Sequence, residues 1–224
     1  MEDAGVTAGG TTAGDLGAWI CFQDETGQGL RPPGERSWSR RGHRPQVRVH
    51  GGDHGGRVSV AGMVCYRPGM RPRLIYRLHH YRRRQGERAA FTLNEYKVLL
   101  QAAHQQLPGG KIVLVWDNLN IHHSKSMREF IDAHADWLTV FYLPAYAPDL
   151  NPAESVWSLL KRSMANFLAT DLDHLTHMIK HRLKVIQHHP DVLDGCLTTT
   201  GLTLNTTSAI TNFNPGLYGF RCNS

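Results

Sequence analysis

KIVLVWDN, residues 111–118, decides the fold. Five consecutive apolar residues, Ile112 to Trp116, carry no polar alternation. A strand wetted on one side alternates, whereas a strand covered on both faces reads as a continuous apolar run. The run is therefore an interior strand with helices on each side of its sheet, and its neighbours supply them. Before it, FTLNEYKVLLQAAHQQL (91–107) has Tyr96, Leu99, Leu100 and Ala103 on one helical face. Thr92 and Glu95 there stand at capping-box spacing, and Pro108-Gly109-Gly110 stop the helix. After it, SKSMREFIDAHADW (124–137) predicts a second helix with Ser126 and Glu129 boxing its start, then LTVFYLP (138–144) a further strand. Asn151 caps a third helix that has Pro152 at its first position and runs through VWSLLKRSMANFL (156–168). A last helix spans about Asp173 to His188, with Leu175, Ile179, Leu183 and Ile186 inward.

Towards the N-terminus the pattern changes. AWICFQD (18–24) is a short buried strand. RVSVAGMVCYR (57–67) and RPRLIYRLH (71–79) are rich in β-branched and aromatic residues and are joined through a Pro-Gly turn, so they form a hairpin. Hairpin strands first and helix-alternating strands later predict an α/β protein with a mixed sheet and helices on both faces. Residues 25–56 are an inserted loop rich in Gly, Pro and Arg; so long a connection is usually functional or disordered. Residues 1–17 form a disordered leader, 18–202 the folded domain, and 203–224 a polar tail expected to be disordered.

The chain of 224 residues carries a net charge of +6, and its distribution is uneven. Fifteen of its 19 arginines fall between Arg31 and Arg88, with Trp38 and Tyr81 among them. A one-sided field of planar, permanently charged guanidinium groups is suited to phosphate oxygens and marks a polyanion binder. The four scattered cysteines form no CxxC pair, which excludes a zinc ribbon and fits reduced thiols in the cytoplasm. No apolar run is long enough to cross a bilayer, and the N-terminus has no secretory pattern. A phosphate-cradling GxxxxGK[ST] loop and a Gly-x-Ser-x-Gly elbow are both missing.

Three carboxylates stand at element ends. Asp24 ends the first strand and is followed at once by Glu25; Asp117 ends the interior strand; Glu154 lies in the first turn of the helix opened by Asn151. Each has an ordinary role available: a strand-exit acid, a turn cap, a capping-box acid. Strand alternation places only one of Asp24 and Glu25 on the face Asp117 meets, and Asp24 is the choice made here. Together the three offer hard oxygen ligands for Mg²⁺. His122 follows Asp117 by five residues and is expected to be a surface loop histidine; His79-His80 and His188-His189 are expected at the surface too.

VWDNLNIHHSKSMREFI (115–131), FYLPAYAPDLNPAESVWSLLKR (141–162) and WICFQDETGQGLRPPGERSWSRRGHRP (19–45) together resemble insertion-sequence transposases of the bacterial IS630 type. These are relatives of Tc1/mariner elements with a DDE-type endonuclease domain. LPAYAPDLNPAE is the most specific of the motifs. The resemblance covers about residues 18–202 and implies an RNase H-like, five-stranded mixed sheet flanked by helices. It implies that Asp24, Asp117 and Glu154 are the catalytic acids and hold Mg²⁺ or Mn²⁺, two ions in all. It further implies DNA cleavage at transposon ends, strand transfer into target DNA, and a homodimer assembled on DNA near the nucleoid. Arg31, Arg36, Arg40, Arg41 and Arg44 in the inserted loop, with Arg82, Arg83 and Arg84, become the candidate phosphate contacts. Full-length relatives carry an N-terminal helix-turn-helix recognition module, which is expected to be missing here. The alternative to a working enzyme is a non-catalytic DNA-binding remnant that co-assembles with an intact transposase.

Overall fold

The computed structural model describes residues 17–31, 41–42, 56–143, 148–165, 167–205, 208–211 and 221–222. The leader up to residue 16, most of the inserted loop and the 144–147 part of the LPAYAPDL motif lie outside them. Five strands build the sheet: β1 (Trp19–Gly29), β2 (Arg57–Tyr66), β3 (Arg73–Tyr81), β4 (Ile112–Trp116) and β5 (Leu138–Tyr142). They lie in the order β3-β2-β1-β4-β5, with β1–β2–β3 antiparallel and β1–β4–β5 parallel. This is the mixed sheet expected. The helices are α1 (Leu93–Gln106), α2 (Lys125–Ala133), α3 (Pro152–Ser163), α4 (Leu172–His188) and α5 (Pro190–Thr198). Among the described residues no helix is long and apolar enough to cross a membrane.

The apolar run of β4 is divided between the two faces by simple alternation. Ile112, Leu114 and Trp116 join Trp19, Cys21, Tyr96 and Met127 in a core beneath α1 and α2. Val113 and Val115 join Ile20, Phe22, Trp157 and Leu183 in a core beneath α3, α4 and α5. The capping box at Thr92 and Glu95 is formed in full, and Asn151 caps α3 through Ala153 N. Cys21, Cys65 and Cys196 are buried free thiols.

Four expectations are corrected. β1 runs five residues beyond Asp24, because Glu25 to Gly29 continue the antiparallel ladder with β2 as far as Gly29 opposite Arg57. The inserted loop therefore begins after residue 29 rather than at 25. The cap of α2 is Ser124, which accepts from Met127 N, rather than the Ser126–Glu129 pair; the earlier start turns Met127, Phe130 and Ile131 inward. A fifth helix, α5, follows α4 where the sequence reading stops: Pro190 sits at the first helical position, where its missing N–H costs nothing. Leu193, Cys196 and Leu197 bury its inner face, and Tyr66 Oη donates to Leu193 O at 2.7 Å. Finally, the region beyond residue 202 contains short strands. β6 (Thr203–Asn205) pairs with β7 (Ser208–Thr211), and β8 (Arg221–Cys222) adds antiparallel to β5. Thr and Ile supply strand propensity there, and β5 is otherwise an edge with open backbone groups.

Candidate active site

Parallel pairing between β1 and β4 ends at Phe22 opposite Val115. Past that point β1 stays paired to β2 on one side only, so the side of Asp24 towards the end of β4 has no ladder partner. Open α/β sheets take ligands in such places, beyond the carboxyl ends of parallel strands. Asp117 is the first residue after β4. The first turn of α3 is tied to the same place: Asn151, 4% exposed, donates from Nδ2 to Gln23 O at 3.3 Å while its Oδ1 accepts from Ala153 N. One asparagine thus starts the helix and fastens it to the residue before Asp24.

Asp24 lies on the α3 face, as alternation requires. Its Oδ2 accepts from Trp157 Nε1 at 3.0 Å. Burial, joined by the charges of Glu154 and Asp117, pushes its carboxyl from the ordinary 3.8 up to about 7, against the lowering bonds from the Glu25 backbone and Trp157. Two acids that lie 93 and 130 residues away in sequence therefore act on one carboxyl in space. Glu154 is exposed; its backbone N–H donates to Asn151 O, but its side chain makes no hydrogen bond or ion pair among the described residues, so the capping-box role is not its occupation.

Asp117 is held more closely than a loop acid. Its Oδ1 accepts from His122 Nδ1 at 2.8 Å and from Leu119 N at 3.3 Å. His122 is fully buried, which corrects its expected place on the surface. Its ring stacks on Trp116 with centroids 3.7 Å apart and meets Tyr96 edge-on, and its backbone carbonyl accepts from Tyr142 Oη at 3.3 Å. The walls that bury it come from Trp116 and from Tyr96 of α1, 26 residues earlier in the chain, so the local sequence of the loop carries no signal for it.

Glu25 points to the other face. Burial and the charge of Asp117 raise its carboxyl to about 7, with Arg57 pulling it back. Asp117, lying past the end of β4, is felt from both faces, so alternation along β1 separates Asp24 from Glu25 without removing Glu25 from the neighbourhood. His79 and His80 are half-buried rather than surface groups: His79 pairs with Glu95 at 2.9 Å, and His80 bonds Thr176 Oγ1.

Among the described residues, no three His, Cys, Asp or Glu side chains lie close enough together to hold a metal ion as they stand. The donor set nevertheless fits a hard divalent cation. Its members are carboxylate oxygens, burial and the charges of Glu154 and Asp117 together lift Asp24 to about 7, and Mg²⁺ binds through a few carboxylates while keeping several waters.

Of the candidate phosphate contacts, Arg36, Arg40 and Arg44 lie outside the described residues, as does Trp38. Arg41 is exposed. Arg82 pairs with Asp173 at 3.0 Å, and the backbone N–H groups of Arg82 and Arg84 both donate to Glu87 Oε2. Other members of the arginine field have structural partners: Arg57 binds Ala89 O, Arg67 binds Pro108 O, and Arg71 binds His188 O.

Comparison with known proteins agrees with this architecture. No curated protein matches the chain. Among solved structures, a pre-cleavage Mos1 transpososome superposes with a TM-score of 0.54 at 16% identity, over 85% of this chain and 58% of that one. The Mos1 transposase paired-end complex with the left transposon end gives 0.52 at 18%, over 81% and 55%. The Mos1 mariner paired-end complex with Mn gives 0.51 at 17%, over 83% and 56%. The chain spans a little over half the length of those Mos1 chains, and at these identities the likeness is one of fold. Residues 19–176, which contain Asp24, Asp117 and Glu154, match the family described as DDE superfamily endonuclease, and the chain belongs to that family.

Proposed function

We propose that this chain is the catalytic domain of an IS630-type, Tc1/mariner-related transposase, which cleaves phosphodiester bonds at transposon ends and joins the freed 3′-hydroxyl to target DNA. The observation that carries the reading is the placing of the three acids at one end of the sheet, Asp24 past the last β1–β4 pair, Asp117 directly after β4, and Glu154 in the turn that Asn151 fastens to Gln23, within a stretch that matches the DDE endonuclease family. Asp24, Asp117 and Glu154 would hold one or two Mg²⁺ or Mn²⁺ ions, whose chemistry is to activate the attacking oxygen and stabilise the leaving one. Mos1 complexes have been solved with Mn and with Mg, and with transposon ends bound. Trp157 and His122 each anchor one carboxylate oxygen of an aspartate, and Asn151 holds the α3 turn that presents Glu154. The family's chemistry is two in-line displacements, so fixed acids at the end of the sheet supply positioning and charge stabilisation without a covalent protein intermediate.

DNA would be drawn in by the arginine field, with Arg31, Arg36, Arg40, Arg41, Arg44, Arg82, Arg83 and Arg84 as phosphate contacts and a homodimer as the working assembly. Changing Arg40 and Arg41 to Ala is expected to weaken DNA binding regardless of sequence and to flatten the salt slope by about one per lost phosphate contact. Filter binding between low and moderate salt measures this, and an unchanged slope removes both residues from the interface.

Nicking of supercoiled plasmid with Mg²⁺ or Mn²⁺ tests the central reading. Wild type is expected to nick only with metal, and Asp117→Ala to lose that nicking. DNA binding with no metal-dependent nicking by wild type would instead identify a non-catalytic partner of an intact transposase.

A further inference from the structure

The indole of Trp157 lies in a slot that the sheet opens for it. Asp24 of β1 stands directly opposite Gly62 of β2 in the antiparallel register. A Cβ on Gly62 would meet Trp157 Cη2 at 2.5 Å and Cζ2 at 3.0 Å, distances that a real side chain does not tolerate. Glycine is costly inside a strand, and its use there marks close approach by another group. Here that group is the ring of Trp157, 1% exposed, whose N–H continues past Gly62 to Asp24 Oδ2. A hydrogen bond from a buried N–H to a carboxylate is stronger than a neutral one and fixes direction as well as distance.

We infer that Trp157 is a positioning residue for the metal-binding carboxylate Asp24, and that Gly62 is the cut-away in β2 that lets it reach. The inference rests on the reading of Asp24 as a metal ligand. Groups that orient a ligating side chain typically contribute 10–100-fold in metal affinity or activity. The acid and the tryptophan sit three residues apart on α3: Glu154 stands exposed in the first turn, and Trp157 lies one turn on, with its ring against Gly62 of β2 and its N–H on Asp24 of β1.

The test is Mn²⁺ binding to the purified chain by calorimetry, alongside metal-dependent plasmid nicking, at a temperature where every variant is folded by circular dichroism. Trp157→Phe keeps an aromatic ring and removes the N–H; Gly62→Ala keeps the N–H and displaces the ring. Both are expected to weaken Mn²⁺ about 10–100-fold. Leu160→Ala, on the same helix and buried in the same core, is the control for loss of packing alone and is expected to bind Mn²⁺ as wild type does. Wild-type affinity in Trp157→Phe overturns the inference, as does equal weakening in Leu160→Ala. Wild type that neither binds Mn²⁺ nor nicks DNA overturns the reading of the site itself, and this inference with it.

Discussion

Asp24→Asn is expected to abolish metal-dependent nicking and, in the same protein, to raise stability at neutral and alkaline pH. The second effect follows from linkage. The Asp24 carboxyl has an ordinary value of 3.8 and stands at about 7 in the fold. Between these values the native state holds a proton that the unfolded chain has released. Stability therefore falls as pH rises from about 4 to about 7, and the loss is complete above that. One pKa unit corresponds to about 1.4 kcal/mol, so the ionised Asp24 costs the fold up to about 4 kcal/mol at pH 8. Asparagine is nearly isosteric, its Oδ1 still accepts from Trp157 Nε1, and it carries no charge to repel Glu154 or Asp117. Urea titrations of both proteins from pH 4 to pH 8 should show the variant gaining on wild type across that window. A divalent cation should remove the same repulsion, so Mg²⁺ should raise the melting temperature of wild type at pH 8 and leave the variant nearly unmoved. Equal stability of the two proteins at pH 8 would mean that Asp24 is not held desolvated beside Glu154 and Asp117, and the proposed site would lose its basis.

A charge concentration that destabilises the fold is a sign of use, because nothing in the packing requires it. This is also the point at which the sequence was most informative. Asp24, Asp117 and Glu154 were legible because each follows a pattern with a clear end: an apolar run for the first two, an Asn-Pro helix start for the third. The two-sided burial of β4 was legible in Ile112 to Trp116, and the alternation that divides it between two cores follows directly. What escaped were features set by a partner distant in sequence. β1 continues through Glu25–Gly29 because β2 is there to pair with it, although Thr26, Gly27 and Gly29 look like loop residues. α5 depends on the core beneath it, where Leu193 is buried and Tyr66 Oη holds Leu193 O, and Pro190 opens it only two residues after the helix before it ends. His122 is buried because Trp116 and Tyr96 form its walls, and no local pattern distinguishes that from a solvent-facing loop. Gly62 was the one such feature with a visible mark, an isolated glycine in an otherwise β-branched and apolar strand.

Trp116→Ala should be the most damaging core substitution in the half of the domain that supports Asp117, for reasons that add. Trp116 is fully buried and sits among the largest such side chains. Its truncation leaves a cavity under α1, and a core Trp or Phe cut to Ala typically costs 3–5 kcal/mol. Its Nε1 donates to Gln23 Oε1, and Gln23 is 1% exposed with its Nε2 already lacking a partner among the described residues. An orphaned buried acceptor adds about 1–3 kcal/mol. At about 2–4 °C per kcal/mol for a domain of this size, the melting temperature should fall by roughly 10 °C or more. Trp116→Phe separates the terms: it keeps the surface on which His122 stacks and loses only the N–H, so its cost should be confined to the Gln23 part. The pair also reports on the site, because His122 holds Asp117 Oδ1 from a ring supported by Trp116. In Trp116→Ala that support is gone, and Mn²⁺ affinity should fall along with stability, whereas Trp116→Phe should retain most of it. If urea denaturation shows Trp116→Ala losing less than about 2 kcal/mol, below the range for a buried aromatic, the α1 face of the sheet is not packed around this residue. The route from core to Asp117 through His122 would then have no foundation.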